Sequence, residues 1–185
     1  MQYKASFLML SLSHFLGTFV DILGIWILFD RFKFVHGWTF PEVGLIYGIM
    51  NVGFALAEAF SRGFDTFSQI IKYGDFDRLL LRPLSSLYQV ALREVQAMRI
   101  GRFLQGLIVL SWSFSQLSLA PLSLLLILFS VLGAACLFYG LFVIQATASF
   151  WIIEALELMN VATYGGLQTG QYPISIYDKV FRLIF

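Results

Sequence analysis

The sequence contains few charged residues and one cysteine. Of its 185 residues, 12% are charged, and the formal net charge is +1. A soluble domain carries about 25% charged residues, so this chain lacks the polar surface that a water-soluble fold needs. The nearly balanced charge gives no indication of a nucleic-acid partner. Cys136 cannot form a disulfide within the chain, and no cysteine–histidine spacing predicts a metal site.

The sequence contains several long runs of apolar residues. Hydrophobic residues make up 59% of the chain, and the mean hydropathy is +0.81. A helix of about 20 apolar residues crosses the roughly 30 Å of bilayer hydrocarbon. The sequence therefore predicts an all-α fold: a polytopic bundle of transmembrane helices in contact with membrane lipid, forming a single domain over residues 1–185.

Four membrane spans are predicted, at about residues 5–29, 41–61, 103–119 and 121–153. The uncharged run after residue 102 is too long for one span, so we divide it at a polar turn before Pro121, which suits the start of a helix. A polar loop, residues 62–102, separates the second span from the third. A cytoplasmic or interfacial tail, residues 154–185, follows the fourth.

The positive charges predict the orientation of these spans. The 62–102 loop contains seven of the twelve lysine and arginine residues, and the N-terminus and the tail together contain three. Lysine and arginine accumulate on the cytoplasmic side of a membrane. With four spans, the N-terminus, the loop and the tail share one side, so we expect all three in the cytoplasm.

Polar side chains form stripes along the first two spans. His14 and Asp21 share one face of the first span, and Asn51 and Glu58 share one face of the second. A charged group is costly at the centre of a bilayer, so such residues normally face protein or water. These residues either line a substrate path, form hydrogen bonds between helices or lie near the lipid headgroups, and His14 is either a helix contact or a proton relay. The sequence leaves these interpretations open.

Two glycines on the second span predict close helix packing. Gly44 and Gly48 are four residues apart, on the face that also contains Asn51. A pair of small residues at this spacing allows two helix backbones to approach each other within a membrane. We therefore expect both polar stripes to face the inside of the bundle.

The 62–102 loop contains a short helical motif. Gly74 and Asp75 are typical of a turn and an N-cap, and Pro83 limits the helix at its other end. Arg78 and Arg82 lie on one face of this helix, beside three leucines. The helix either lies on the lipid surface or docks in a groove of a cytoplasmic partner.

Two stretches of the chain resemble the permease subunits of bacterial ABC-2-type transporters. The first is the motif Gly-Asp-Phe-Asp-Arg-Leu-Leu-Leu-Arg-Pro-Leu at residues 74–84. The second begins at Ser149-Phe150-Trp151, continues through Tyr164-Gly165-Gly166 and ends at Tyr177. The resemblance implies a permease in the bacterial cytoplasmic (inner) membrane. It also implies pairing with a second permease subunit, as a homodimer or heterodimer, and with cytoplasmic ABC ATPase subunits.

The resemblance assigns a role to the loop, because in ABC-2 permeases a helix after the second span couples to the ATPase. The residues so assigned are Gly74, Asp75, Asp77, Arg78, Leu80, Arg82 and Pro83, in a helix expected at about 75–84. The chain has no Walker A sequence, Gly-x-x-x-x-Gly-Lys-[Ser/Thr], so ATP and Mg²⁺ are expected on the partner and no cofactor or catalytic residue here. Such permeases generally have six spans, so we expect this chain to be truncated.

Two other functions are compatible with a polytopic membrane protein. A membrane-embedded enzyme would need a base, a nucleophile or a metal cluster, and the sequence contains no His-Glu-x-x-His, no Gly-x-Ser-x-Gly and no paired intramembrane aspartates. A pore or an adaptor would need no ATPase. A neighbouring gene for an ABC ATPase would favour the permease over both alternatives.

Overall fold

The computed structural model describes residues 4–93, 100–152 and 159–184. Within these ranges every regular element is a helix or a helical turn, apart from an isolated bridge between Val35 and Trp38. This confirms the predicted all-α class. The side chain of His14 lies outside the described part of the structure.

Four long helices form the body of the chain: α1 (Lys4–Phe32), α2 (Phe40–Asp65), α6 (Ile100–Gln116) and α7 (Ser123–Ala148). Three short helices fill the connection between α2 and α6: α3 (Phe67–Lys72), α4 (Asp75–Leu80) and α5 (Ser86–Ala91). The segment after α7 comprises a π-helical turn (Val161–Gly165), α8 (Gly166–Gly170), a 3-10 turn (Ile174–Ile176) and α9 (Lys179–Ile184).

The long helices lie where the sequence places the four spans. Within the described residues, two helical stretches are both long and apolar enough to cross a membrane: Phe40–Lys72, with 33 residues, and Ser123–Ala148, with 26. Helix α1 has 29 residues and α6 has 17, so α6 is near the lower limit of about 17 residues for a span. The structure thus provides the expected helices, and the count of four spans stays a prediction.

Helix α2 begins at a well-formed N-terminal cap. The backbone N–H of Thr39 donates a hydrogen bond to Glu42 Oε2 at 2.8 Å, and Pro41 lies in the first turn. A glutamate three residues after a threonine satisfies a backbone N–H that would otherwise have no partner. This cap fixes the start of the most buried helix in the described structure.

Helix α2 lies between α6 and α7, and glycines allow the close contact. A Cβ atom added at Gly48 would lie 2.7 Å from Leu110 Cβ of α6, and one at Gly53 would lie 2.6 Å from Ala134 Cβ of α7. Gly44 also faces α6, with Ser113 Oγ 2.5 Å from such a Cβ. Both glycines of the predicted stripe therefore pack against α6.

The segment after α7 differs in position from the sequence expectation. Tyr164 contacts Glu58 near the loop end of α2, and Gly170 lies against Met50 farther along that helix. Ser175 Oγ then accepts a hydrogen bond from Trp38 Nε1 at 2.9 Å. Residues 159–176 therefore run along α2, away from the 62–102 loop, to the connection between α1 and α2.

This path disagrees with a tail that lies entirely beside the 62–102 loop. The sequence predicts a cytoplasmic or interfacial tail because tyrosines, Pro173 and basic residues are mixed with apolar residues there. The burial of the segment against the bundle is not visible in that pattern: Thr163 is fully buried, and Leu167 and Gln171 are also buried. Polar residues are tolerated at membrane depth where they face protein rather than lipid.

Candidate functional site

A buried ion pair joins α2 to α6. Glu58 is 1% exposed, and its Oε2 lies 3.2 Å from Arg102 Nη1. Its Oε1 accepts a hydrogen bond from the Tyr164 hydroxyl at 2.9 Å. The Arg102 guanidinium also lies 5.3 Å from the centroid of the Phe54 ring, within the range of a cation–π contact. A buried carboxylate with charged and hydrogen-bonding partners on two other elements links all three elements together.

Neither partner of Glu58 could be predicted from the sequence. Arg102 is the last basic residue of the predicted 62–102 loop, whereas in the structure its side chain is 17% exposed and belongs to α6. Tyr164 lies in the π-helical turn, and its ring also packs 5.3 Å from that of Phe54. Short π-helical segments are frequent at functional sites. One feature of the sequence could have indicated the position of Arg102. It directly precedes a long uncharged run, so it is at the start of a membrane helix rather than within a loop.

A second group of buried polar side chains lies farther along α2. The Tyr47 hydroxyl donates a hydrogen bond to the backbone oxygen of Thr18 at 3.0 Å and accepts one from Gln105 Nε2 at 3.5 Å. Asn51 Nδ2 donates to the backbone oxygen of Tyr47 at 2.9 Å. The spacing of Tyr47, Asn51 and Glu58 places all three on one helix face, so the polar face of α2 is longer than the sequence stripe indicates.

Asp65 forms a third polar contact, at the loop end of α2. It makes an ion pair with Arg62 and accepts a hydrogen bond from Gln145 Nε2 of α7 at 3.0 Å. Gln145 is 1% exposed. Arg62, another of the counted loop charges, is therefore also paired next to the helix bundle.

Asp21 occupies a different environment from Asn51 and Glu58. Its side chain is exposed on α1 and lines a groove of about 360 Å³ together with Gln168, Gln171 and Tyr172. The groove therefore places the Tyr172 side chain and the Asp21 carboxylate on the same surface.

The predicted motif of the 62–102 loop forms a short helix that ends earlier than expected. Helix α4 ends at Leu80, and Arg82 and Pro83 lie in the turn that follows. A residue that precedes proline avoids the α-helical conformation, so a helix over the whole of 75–84 is not compatible with Pro83. Gly74 precedes the helix with φ +73°, a left-handed conformation that glycine adopts without strain.

Polar contacts join α4 to α5. Asp75 lies 3.2 Å from Arg93 and 3.8 Å from Arg78, as measured between carboxylate oxygens and guanidinium nitrogens. Gln89 Nε2 donates hydrogen bonds to the backbone oxygens of Leu79 at 3.1 Å and Leu84 at 2.9 Å. The two short helices and the turn between them therefore form one unit.

Aromatic packing attaches this unit to the bundle. The Phe76 ring lies 5.2 Å from that of Phe67 in α3 and 5.4 Å from that of Phe150, which follows α7, as measured between centroids. The Phe67 and Phe150 rings are themselves 5.3 Å apart. Rings in mutual edge contact attract one another, so the three aromatic side chains pack α4 against α3 and the segment after α7.

The outward side of this unit combines arginines with exposed apolar side chains. Arg78 is 85% exposed, and Asp77 and Arg82 are also exposed. A cavity of about 810 Å³ opens between α4 and α5. We call the following exposed residues of α4, α5 and the adjoining turns the α4–α5 patch: Arg78, Leu80, Leu81, Arg82, Leu84, Leu87, Tyr88 and Leu92.

These features define an all-helical membrane protein with a partly apolar, exposed surface in the connection between α2 and α6. A family model for the ABC-2 family transporter proteins matches residues 15–185. The chain therefore belongs to the ABC-2 transporter family, as its resemblance indicates, and it is a membrane component for transport. Comparison with curated proteins and with solved structures gave no match. Among the described residues, no three His, Cys, Asp or Glu side chains are grouped as a metal site requires.

Proposed function

We propose that this chain is the permease subunit of an ATP-driven ABC transporter and that a cytoplasmic ABC ATPase binds the α4–α5 patch. In this proposal the chain forms half of a translocation path, and a second permease subunit forms the other half. The 62–102 loop and the N-terminus lie in the cytoplasm, and the membrane is a bacterial inner membrane. ATP and Mg²⁺ bind to the ATPase.

The observation that carries the proposal is the exposed, partly apolar composition of the α4–α5 patch. Leu81 is 86% exposed and Leu84 is 68% exposed, although both are in the most polar region of the chain. Exposed leucines next to arginines resemble a protein interface, in which apolar side chains fill pockets and charges at the rim select the partner. The exposed guanidinium groups of Arg78 and Arg82 favour a partner surface that carries carboxylates.

The attachment of α4 supports a role in transmitting motion. Helix α3 directly follows α2, and together they form the continuous stretch Phe40–Lys72. Phe76 connects α4 both to α3 and to the end of α7. In α2, Gly63 lies against the backbone of Val90 in α5. A displacement of the patch by an ATPase would therefore reach α2 and α7 through packed contacts.

Charge reversal tests the proposal. The variant Arg78→Glu/Arg82→Glu, expressed together with the second permease subunit and the ATPase, should insert in the membrane but lose the ATPase during purification. The control is Lys72→Glu, since Lys72 is exposed in α3 but does not line the cavity. Retention of the ATPase by the double variant, with normal transport, would show that the patch is an interfacial helix on lipid.

The same experiment addresses the remaining alternatives. A pore or an adaptor requires no ATPase, so no ABC ATPase would co-purify with either the wild type or Lys72→Glu. If the chain is a membrane-embedded enzyme, the purified chain alone should catalyse a reaction without ATP. The permease hypothesis requires an ATPase activity that appears only with the partner and that depends on Arg78 and Arg82.

A further inference from the structure

A polar groove lies between α1 and α8, and it shares no residue with the α4–α5 patch. Its volume is about 360 Å³. Asp21 and Gly24 line it from α1, and Gln168, Gln171 and Tyr172 line it from the opposite side. The two remaining lining residues, Val20 and Ile25, are aliphatic. The groove therefore contains one carboxylate and no basic side chain.

Two of the lining groups have unused hydrogen-bonding capacity. Gln171 is only 7% exposed, and its side-chain amide forms no hydrogen bond with any described residue. The Asp21 carboxylate likewise has no hydrogen bond or ion pair to the described residues. The amide atoms of Gln171 are not fully enclosed, so they are available to a molecule in the groove. A carboxylate within a membrane helix is unfavourable without a partner. A ligand that supplies a positive charge and hydrogen-bond donors would interact with both groups.

The neighbourhood of Asp21 leaves room for such a ligand. A Cβ added at Gly24, nearly one helical turn from Asp21, would meet no described atom within 4 Å. Arg102 is the basic group that acts on the Asp21 charge, but its guanidinium is already paired with Glu58 at 3.2 Å. The negative charge of the groove therefore has no dedicated counter-ion among the described residues.

Tyr172 connects the groove to a larger apolar space. Its side chain also lines a cavity of about 460 Å³ whose walls include Phe138 and Leu141 of α7 and Met50 of α2. Apolar walls with a few placed polar groups are typical of small-molecule sites. A ligand with a cationic end and an apolar body fits this combination of surfaces.

We propose that the groove binds the protonated amine or guanidinium group of an amphipathic compound that this transporter carries. The cation pairs with the Asp21 carboxylate and donates a hydrogen bond to the side-chain oxygen of Gln171. The apolar part of the compound lies against the cavity that Tyr172 shares. This inference rests on the proposed transport function and adds a substrate class to it.

Equilibrium binding of radiolabelled 2-phenylethylammonium tests the inference. The assembled transporter in lipid nanodiscs should bind this probe saturably, and the uncharged 2-phenylethanol should compete poorly. Asp21→Asn should weaken binding by about tenfold or more, because a hydrogen bond to a charged group is lost. Asp30→Asn, which alters an exposed carboxylate of α1 outside the groove, should bind as wild type does.

Three results would overturn the inference: no saturable binding of the amine, equal binding by Asp21→Asn, or equal competition by the neutral alcohol. A second permease copy is the other occupant that the groove could have. In a Cys136→Ser background, Gly24→Cys should stay monomeric under oxidation and react with a thiol reagent more slowly when the amine is present. A disulfide between two copies at this position would show that the groove is a subunit interface instead.

These outcomes are separate from the test of the proposed function. Retention of the ATPase depends on the α4–α5 patch, whereas binding of the amine depends on Asp21. Asp21→Asn should keep the ATPase during purification. A transporter that keeps its ATPase but binds no amine would refute the substrate class alone.

Discussion

The carboxylate of Glu58 and the guanidinium of Arg102 lie 3.2 Å apart although 44 positions separate them in the chain. Their side chains are 2% and 17% exposed. The pair connects α2 to α6 on the face where Tyr164 also contacts Glu58. The position of three helical elements therefore depends on one buried carboxylate.

Removal of one partner of this pair should cost much more than removal of both. Arg102→Met removes the ion-pair partner of a buried carboxylate, and loss of one partner of a buried pair typically destabilises a protein by about 3–5 kcal/mol. The double variant Glu58→Gln/Arg102→Met removes both charges of the pair and should recover most of this loss. The measurement is thermal unfolding of the purified chain in detergent.

Arg93→Met is the matched control, because Arg93 also pairs with a carboxylate, Asp75, but its side chain is 38% exposed. Exposed pairs contribute about 0–1 kcal/mol, so its unfolding temperature should remain close to that of wild type. Equal losses for Arg102→Met and Arg93→Met would mean that the buried pair does not hold the helices together.

Gly48→Ala should weaken the packing of α2 on α6. Its Cβ would lie 2.7 Å from Leu110 Cβ and 2.9 Å from Leu110 Cα, so the helices must separate, at a typical cost of about 1–3 kcal/mol. Gly140→Ala is the control, because its Cβ would meet no described atom within 4 Å. Alanine favours helix more than glycine does, so this control should be neutral or slightly stabilising in the same unfolding assay.

The path of residues 159–176 predicts a labelling pattern. With Cys136 replaced by serine, cysteines at Ser175 and Gly37 should both react with a membrane-impermeant thiol reagent added outside intact cells. A cysteine at Ser86 should not react, because the loop is cytoplasmic in the proposed orientation. Protection at Ser175 together with Ser86 would restore the tail to the loop side and refute the contact between Ser175 and Trp38.

Much of the architecture could be predicted from the sequence. The long apolar runs predicted the positions of the four long helices, and the spacing of Gly44 and Gly48 indicated a close helix contact. Both features are encoded in the local sequence, the helices by runs of hydrophobic residues and the close contact by small side chains. The charge-based orientation stays a prediction: if Lys179 and Arg182 are counted on the other side, eight basic residues against four still favour the loop side as cytoplasmic.

The partners of the buried polar groups could not be predicted, for a physical reason. An arginine at a helix end is compatible with solvent, with lipid headgroups or with a buried carboxylate. Only the three-dimensional packing brings Arg102 to Glu58 or Gln145 to Asp65. The position of residues 159–176 could not be predicted for the same reason. Their burial against α2 depends on contacts between residues that are far apart in the sequence.

Photo-crosslinking from the α4–α5 patch tests whether an ABC ATPase binds there. A benzoylphenylalanine in place of Leu81, which is 86% exposed, should crosslink in the membrane to an ABC ATPase identified by mass spectrometry. The same residue in place of Leu126, 67% exposed on α7, should crosslink to lipid and not to the ATPase. Crosslinking of position 81 to lipid alone, with the ATPase present, would show that the patch faces the membrane and does not bind the ATPase.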